Sequence, residues 1–359
     1  MIRQLTVFDE KFNKEFIDVE NSIIDNKVFT VVSLFSGCGG MDLGFRGNFR
    51  VFNKYYERNN FDIIFANDIE KAACETYEYN FNHKPLYGDI RDIDKRQIPK
   101  ADVVIGGFPC QDFSYSGKRK GLTTDRGRLY LEMKKVIEYT NPMAFVAENV
   151  DGIRNSKKGV NTSALDEILD DFRSLGYNVV YKVLNAADYG VPQTRIRVII
   201  IGMRKDLNKL IYYPKPTHED GCLKRPWITA KEAIDDLWDM IDSPEIYNHT
   251  KKDYSKAKFY PGKKMQGNYQ IKPDRPSITI RAEHHGNIEA HYRSTNPNNP
   301  EDMKAWRRLS VRECARLQSF PDDFIFPCSA SSAYKQIGNA VPPILAWHIA
   351  RALYYSLIN

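Results

Sequence analysis

The run Gly106-Gly107-Phe108-Pro109-Cys110-Gln111-Asp112-Phe113-Ser114 sets a cysteine in a loop of glycine, proline and polar residues, directly after an apolar β-branched stretch. Proline disfavours helical geometry at Phe108 and the glycines let the chain turn over a strand end. Cys110 is therefore expected at the carboxyl edge of a sheet, where such folds bind ligands. Cysteine attacks as its thiolate, and Lys118, Arg119, Lys120, Arg126 and Arg128 follow closely enough to favour the anion. A small buried thiol is the competing reading, and it suits a polar Gly/Ser loop poorly. The next strand delivers Glu148-Asn149-Val150 to the same edge. Its carboxyl either exchanges a proton beside Cys110, as nucleophilic attack on an electron-poor heterocycle requires, or caps the following helix. Further on, Gln193-Thr194-Arg195-Ile196-Arg197 alternates so that Gln193, Arg195 and Arg197 share one strand face. Buried guanidiniums need partners, either a structural carboxylate or a substrate oxygen.

Three other strand ends carry polar signals. After the first, Leu34-Phe35-Ser36-Gly37-Cys38-Gly39-Gly40 permits either the close approach of a ligand or merely a tight turn, and the helix end that follows favours a carboxylate or phosphate. Asn67-Asp68-Ile69 puts an acid where this architecture commonly holds a ribose hydroxyl pair, and Gly88-Asp89-Ile90 occupies the next such position. Either acid alone reads as a solvated loop residue. Gly, Asp and Asp at consecutive strand ends point to an adenosine-containing cofactor.

The elements that must position these groups are legible as alternation. Strands are expected over Phe29 to Phe35, Phe61 to Ala66, Ala101 to Ile105, Ala144 to Ala147, Val179 to Leu184 and Arg197 to Ile201, with helical patterns between them. One helix shows Leu129, Met133, Val136 and Ile137 on a single face. Another shows Leu165, Ile168, Leu169, Phe172 and Leu175, with Thr162 or Ser163 to cap it and Gly176 to end it. This is a doubly wound α/β pattern. After Gly202 the sequence turns Pro-, Tyr- and Lys-rich, with only Thr229 to Met240 looking helical. Helical sequence returns with the capping-box spacing of Ser310 and Glu313, and a last helix follows Pro342-Pro343. The expected divisions are residues 1–29, a helical extension carrying the stripe Phe12, Phe16, Val19 and Ile23; 30–203, the catalytic and cofactor-binding domain; 204–305, a separate domain or insertion; and 306–359, which returns to the first domain.

With 359 residues, 42% of them hydrophobic, the chain can bury a large core, and its most apolar run, Val198 to Ile201, is far short of the roughly 20 residues of a membrane helix. No apolar signal-peptide core follows Met1, so the chain is expected in the cytoplasm. Six cysteines without a C-x-x-C pair argue against a zinc ribbon or a disulfide framework. Glu283, His284 and His285 do not make a metal site either, since adjacent histidines in a strand point apart. The formal charge of +6 is concentrated: between Lys251 and Arg293 ten basic residues face four acidic ones, which suits a polyanionic partner.

Taken in order, Phe35-x-Gly37-x-Gly39-Gly40, Gly107-Phe108-Pro109-Cys110-Gln111, Glu148-Asn149-Val150, Gln193-x-Arg195-x-Arg197, Arg312-Glu313-Cys314-Ala315-Arg316-Leu317-Gln318-x-Phe320-Pro321 and Gln336-Ile337-Gly338-Asn339-Ala340-Val341 resemble the DNA (cytosine-5) methyltransferases. The likeness covers about Thr30 to Gly202 and Arg308 to Leu353. It implies a Rossmann-like α/β fold with a mostly parallel, doubly wound sheet, S-adenosyl-L-methionine as cofactor, and a second, smaller target-recognition domain within Arg204 to Ala305. By the same resemblance Phe35, Gly37, Cys38 and Gly40 line the cofactor, Asp68 holds its ribose, Ile69 and Ile90 sandwich the adenine, Asp89 bonds its amino group, and Pro109, Asn339 and Val341 complete the pocket. Cys38 stands where the family often has an aliphatic residue, and Ile69 where an aromatic one is common.

The implied reaction is covalent. Cys110 adds to carbon 6 of a cytosine flipped out of the duplex, Glu148 holds ring nitrogen 3 and the exocyclic amine, Arg197 contacts oxygen 2, and Arg195 supports that pocket. The loop Ser114 to Arg128 closes over DNA, with Gln111, Ser114, Ser116, Lys118 and Arg119 expected as contacts. Thr279 and Arg281 lie in the expected reading segment, Ser277 to Gly286. A compact chain with one recognition region resembles a bacterial modification methylase. That implies double-stranded DNA as partner, no membrane and no metal, a monomer, and a cognate restriction endonuclease acting on the same site without direct binding. The nearest alternative is a transfer RNA methyltransferase of the same family, whose Cys-Phe-Thr signature is absent. A nicotinamide-dependent oxidoreductase would leave Cys110 and Glu148 unexplained, and a silent DNA-binding protein would not need the full motif set.

Overall fold

A computed structural model describes residues 16–20, 26–108, 129–155, 163–220, 225–253, 269–282, 291–294, 298–299 and 306–359 of the chain. The principal elements are β1 (Phe29–Leu34), α1 (Gly40–Arg46), β2 (Phe61–Asp68), α2 (Lys71–Phe81), β3 (Leu86–Tyr87), β4 (Val103–Gly106), α3 (Tyr130–Thr140), β5 (Ala144–Val150), α4 (Ala164–Arg173), β6 (Tyr177–Asn185), β7 (Ile196–Arg204), α5 (Ala230–Ile234), α6 (Val311–Leu317), α7 (Ala330–Asn339) and α8 (Pro343–Ile358). The seven strands form one sheet in the order β3-β2-β1-β4-β5-β7-β6. All pairings are parallel except those of β7, which runs against both β5 and β6. Strand order reverses between β1 and β4, and ligands of such sheets bind in the crevice at that point.

The pleat explains the two cores. Val31, Val103, Ile105, Ala144, Val146, Ile199 and Ile201 face α1 and α8, whereas Val32, Leu34, Val104, Phe145, Ala147, Val198 and Ile200 face α3 and α4. Ser163 caps α4 in a capping box with Asp166, and Leu165, Ile168, Leu169 and Phe172 are buried as their spacing predicts. Pro343 opens α8, which is buried nearly all round because it carries apolar residues on every face. A third core joins Ala230, Ala233 and Ile234 of α5, Ile271 and Ile280 to Leu309, Leu317, Phe320, Phe324, Phe326 and Ile337 of the returning segment.

Two expected helices are corrected. Thr229 to Met240 is only partly α-helical, α5 giving way to a 3-10 turn over Asp235–Leu237. At the amino terminus, Phe16–Ile17 is a short strand parallel to Tyr213–Pro214, with the Lys215 N–H donating to the Ile17 carbonyl at 2.8 Å. Here a period of two wins over a period of four: Val19 is buried and Ile17 packs beside it, while Phe16 is exposed beneath the Lys182 ammonium. Phe12 and Ile23 lie outside the described residues.

Around α6 the buried polar groups are satisfied in series. Ser310 and Glu313 form the expected capping box. The fully buried Glu313 also takes both terminal nitrogens of Arg307, at 2.9 and 2.8 Å, and Ser310 Oγ meets His249 Nδ1 at 2.6 Å. His249 Nε2 faces the Leu237 carbonyl at 2.7 Å, so it is this nitrogen that carries the hydrogen, and burial lowers the ring's pKa. Glu313→Gln keeps the cap but leaves the Arg307 charge uncompensated. It should cost about 3–5 kcal/mol, read as a lower urea midpoint; an unchanged midpoint would show that Arg307 is not held by this pair.

Candidate active site

Past Leu34 the chain turns through Phe35 and Gly37, both left-handed, with φ of 53° and 55°. For a phenylalanine this conformation is strained, and neighbouring bonds must hold it. The Ser36 N–H donates to the Asn67 carbonyl at 3.0 Å and the Gly37 N–H to Asp68 Oδ2 at 2.8 Å. Asp68 Oδ1 accepts from the Glu70 N–H, also at 2.8 Å. The carboxylate therefore locks two loops together and still has lone pairs for a pair of hydroxyls. Burial pushes its pKa up in spite of these donors. Beside it Ile69 is 56% exposed and Ile90 is buried. Asp89 is paired with Arg91 through Nε at 3.0 Å, and that hydrogen-bonded guanidinium lowers its pKa.

The carboxyl end of α7 closes the other side. A Cβ on Gly40 would lie 2.5 Å from the Val341 carbonyl oxygen, so the start of α1 abuts the turn that follows the exposed Asn339. Among the described residues the expected pocket groups Phe35, Gly37, Gly40, Asp68, Ile69, Asp89, Ile90, Asn339 and Val341 stand at or follow the ends of β1, β2, β3 and α7. They fit an adenosine-containing cofactor: an acid with free lone pairs, an exposed flat-packing aliphatic and a side-chain-free cradle. The Cys38 side chain points elsewhere, its Sγ 4.0 Å from the Gln336 carbonyl in the third core, and burial raises its pKa. Any Cys38 contact with a ligand would run through its backbone.

Across the crevice, antiparallel register sets Ile199 opposite Glu148, and Arg197, two residues earlier, reaches the same carboxylate. Arg197 Nε lies 2.7 Å from Glu148 Oε1, and both residues are buried. Glu148 Oε2 faces Gly107, where a Cβ would lie only 3.0 Å away, so the glycine before the Phe-Pro-Cys run lets the carboxylate approach. Asn149 Nδ2 donates to the Phe108 carbonyl at 3.3 Å and ties the two strand ends together. Glu148 therefore does not serve as a helix cap. Pro109, Cys110, Gln111, Ser114, Ser116, Lys118 and Arg119 lie outside the described residues, as do Glu283, His284 and His285.

Arg195 behaves differently from Arg197. Fully buried, it donates to the carbonyls of Ile280, Gly338 and Ala340 at 3.1, 2.8 and 3.0 Å, so it positions other segments, and burial holds its pKa well below the usual arginine range. Thr279 Oγ1 donates to the Thr194 carbonyl at 2.7 Å, and Arg281 is exposed. Sequence reasoning gave no role to Gln318 or Asn149. Both stand inside motifs that carry the family resemblance, Gln318 in Arg312 to Pro321 and Asn149 beside Glu148, but nothing local in the sequence names their partners. Among the described residues no group of three or more His, Cys, Asp or Glu could hold a metal ion, and no helix is long and apolar enough to cross a membrane.

The sequence matches the C-5 cytosine-specific DNA methylase family over residues 29–355. It is 36% identical over 355 residues to Type II methyltransferase M.FnuDI of Fusobacterium nucleatum, covering 92% of this chain and 95% of the relative. It is 37% identical over 367 residues to Type II methyltransferase M.BsuRI of Bacillus subtilis, covering 92% and 80%. Among solved structures, the Entamoeba histolytica methyltransferase EhMeth shares the fold at a TM-score of 0.65 and 17% identity, over 92% of this chain and 99% of that one. The S. pombe Dnmt2 methyltransferase does so at 0.62 and 20%, over 92% and 98%.

Beneath the glycine turn, Asp42 is fully buried and accepts from the Tyr77 hydroxyl at 2.9 Å, and burial pushes its carboxyl up to about 6. The unfolded chain ionises near 3.8, so stability is fully present below that pH and falls as the pH rises through 6. Asp42→Asn has no charge to bury. Its stability relative to the parent should match at pH 4 and lead by about 3 kcal/mol at pH 7.5 in urea unfolding; a pH-independent difference would contradict the raised carboxyl.

Proposed function

The chain belongs to the C-5 cytosine-specific DNA methylase family and is a DNA (cytosine-5) methyltransferase, and from that premise we propose how its residues perform the reaction and on what. The observation that carries the proposal is the buried Glu148–Arg197 pair, packed on Gly107 at the edge from which the Phe108-Pro109-Cys110 run departs.

The Cys110 thiolate adds to carbon 6 of a cytosine, and the electron pair moves to carbon 5, which becomes nucleophilic. Glu148 acts here with a proton on one oxygen, donating it to ring nitrogen 3 to offset the charge that develops on attack, while the carboxyl also accepts from the exocyclic amine. Arg197 keeps that carboxyl oriented and reaches oxygen 2. When bound, S-adenosyl-L-methionine supplies the electrophilic methyl group. Phe35, Gly37, Gly40, Asp68, Ile69, Asp89, Ile90, Pro109, Asn339 and Val341 hold this cofactor, with Asp68 on the ribose hydroxyls. Once carbon 5 carries the methyl group, loss of its proton to water restores the 5,6 double bond, breaks the carbon–sulfur bond and releases the Cys110 thiolate. The base must leave the stack to reach a carboxylate this deeply set, at a cost of a few kcal/mol.

Gln111, Ser114, Ser116, Lys118 and Arg119 contact the DNA around the flipped base, and the basic stretch Lys251 to Arg293, with Arg281, reads the site. The Thr279 hydroxyl, engaged by the Thr194 carbonyl, anchors rather than reads. The similarity to Type II methyltransferases supports a modification enzyme paired with a restriction endonuclease that acts on the same sequence without binding this chain. We place it in the cytoplasm, at the nucleoid when DNA is bound, as a monomer.

Methyl incorporation into duplex DNA and into transfer RNA, followed by bisulfite sequencing, tests the substrate. Incorporation confined to transfer RNA would overturn the DNA reading. Cys110→Ser should abolish transfer while cofactor and DNA binding survive, and full activity would exclude the covalent route. A duplex with 5-fluorocytosine at the target should trap the protein covalently, since fluorine cannot leave as a proton does; no trapped species through Cys110 would also sink it.

A further inference from the structure

Residue 280 lies outside the sheet, yet both of its backbone groups are held by buried side chains just ahead of β7. The Ile280 N–H donates to Gln193 Oε1 at 3.0 Å, and the Ile280 carbonyl accepts from Arg195 at 3.1 Å. Gln193 Nε2 donates to the Leu317 carbonyl at 3.2 Å and to Gln318 Oε1. Gln318 Nε2 donates in turn to the Ala340 carbonyl at 2.6 Å, which also accepts from Arg195 at 3.0 Å. Ile280, Gln193, Gln318, Ala340 and Arg195 thus close a ring of hydrogen bonds, and both glutamines are fully buried. The crossing is tight: a Cβ on Gly338 would lie 2.3 Å from the Arg281 carbonyl carbon and 2.4 Å from the Ala282 nitrogen.

Donor and acceptor roles around the ring are fixed. Gln193 must accept from Ile280 and donate to Gln318, while Gln318 must accept from Gln193 and donate to Ala340. An amide does both; a carboxylate would set oxygen against oxygen, and asparagine is one methylene too short to span the gap. If the pair merely filled volume, methionine of similar size would serve as well. Three stretches meet at the ring: Thr279 and Arg281 flank Ile280, Arg197 follows Arg195 by two residues, and Asn339 and Val341 flank Ala340.

We infer that Gln193 and Gln318 are positioning residues, an amide relay that fixes the segment carrying Thr279 and Arg281 against the strand carrying Arg197 and the turn carrying Asn339 and Val341. The inference rests on the reading of those flanking residues as DNA-side, base-side and cofactor-side groups. It assigns to this pair the alignment of the recognition segment with the base pocket.

The test uses Gln193→Met, Gln318→Met and the double variant in the full chain, with unmethylated genomic DNA as substrate and S-adenosylhomocysteine as the binding probe. Gln193→Met leaves the buried Ile280 N–H unpaired, and Gln318→Met takes one partner each from the Gln193 amide and the Ala340 carbonyl, so kcat/KM for DNA should fall about 10- to 100-fold. S-adenosylhomocysteine affinity without DNA should stay within about twofold, and the double variant should be little worse than the worse single one, because both break the same ring. Hydrogen–deuterium exchange should show the Ile280 amide losing protection in Gln193→Met. Should that variant not fold, Gln318→Met is read in the same way. Parental DNA kinetics, additive losses, or an equal loss of S-adenosylhomocysteine affinity would overturn the relay. A parent chain that transfers no methyl group to DNA would sink the functional reading instead, and the exchange at Ile280 then decides the relay by itself, unchanged protection overturning it.

Discussion

A sheet covered on both faces has no room for uncompensated charge in its interior, and the placement of Asp68, Glu148 and Arg197 follows from that constraint. Residues in the middle of β1, β4, β5 and β7 must feed one apolar core or the other. Charge can accumulate only at strand ends, where Asp68 and Glu148 stand. The reversal of β7 extends the rule: because it runs against β5, its first residues lie where β5 finishes, and Arg197 meets Glu148 from the opposite chain direction. A parallel seventh strand would have carried Arg197 to the far edge.

The Glu148–Arg197 pair is weak support for stability, since removing two charges from water costs about what their attraction returns. Its geometry makes better sense as preparation. One carboxylate oxygen is fixed by a guanidinium, the other lies against the only residue type that leaves it space, and neither must reorganise when charge develops nearby. The two arginines of β7 and its approach show how little separation is needed to split roles. Arg195 spends its donors on backbone carbonyls and builds the frame, while Arg197 spends one on a side chain that faces the crevice.

Much of this was readable from the chain. Alternation located the strands, because a pleat buried on both faces demands runs of β-branched residues, and the capping residues Ser163 and Ser310 marked helix starts through local hydrogen bonds. Gln193, Arg195 and Arg197 could be placed on one face, but not given partners, since Ile280, Leu317, Gly338 and Ala340 are distant in sequence. The amino-terminal stripe misled for a different reason. Its spacing fits a helix, and only the backbone of residues 213–215, distant in sequence and paired with it, shows why Phe16–Ile17 is extended. The Arg91 partner of Asp89 was legible in principle as a charge two residues away, yet nothing in the sequence says whether such a pair closes.

The last helix has a kinetic meaning as well as an architectural one. α8 covers the face of the sheet formed by Val31, Val103, Val146 and Ile201, and it follows every strand of that sheet in the chain. Until α8 has been made, α1 shields only part of that apolar surface, although all of its strands have already emerged. The nascent protein therefore passes through an interval in which a nearly complete sheet is sticky, when aggregation or chaperone capture competes with closure. A change that weakened the docking of α8 would prolong that interval, whatever the state of the residues that perform the chemistry.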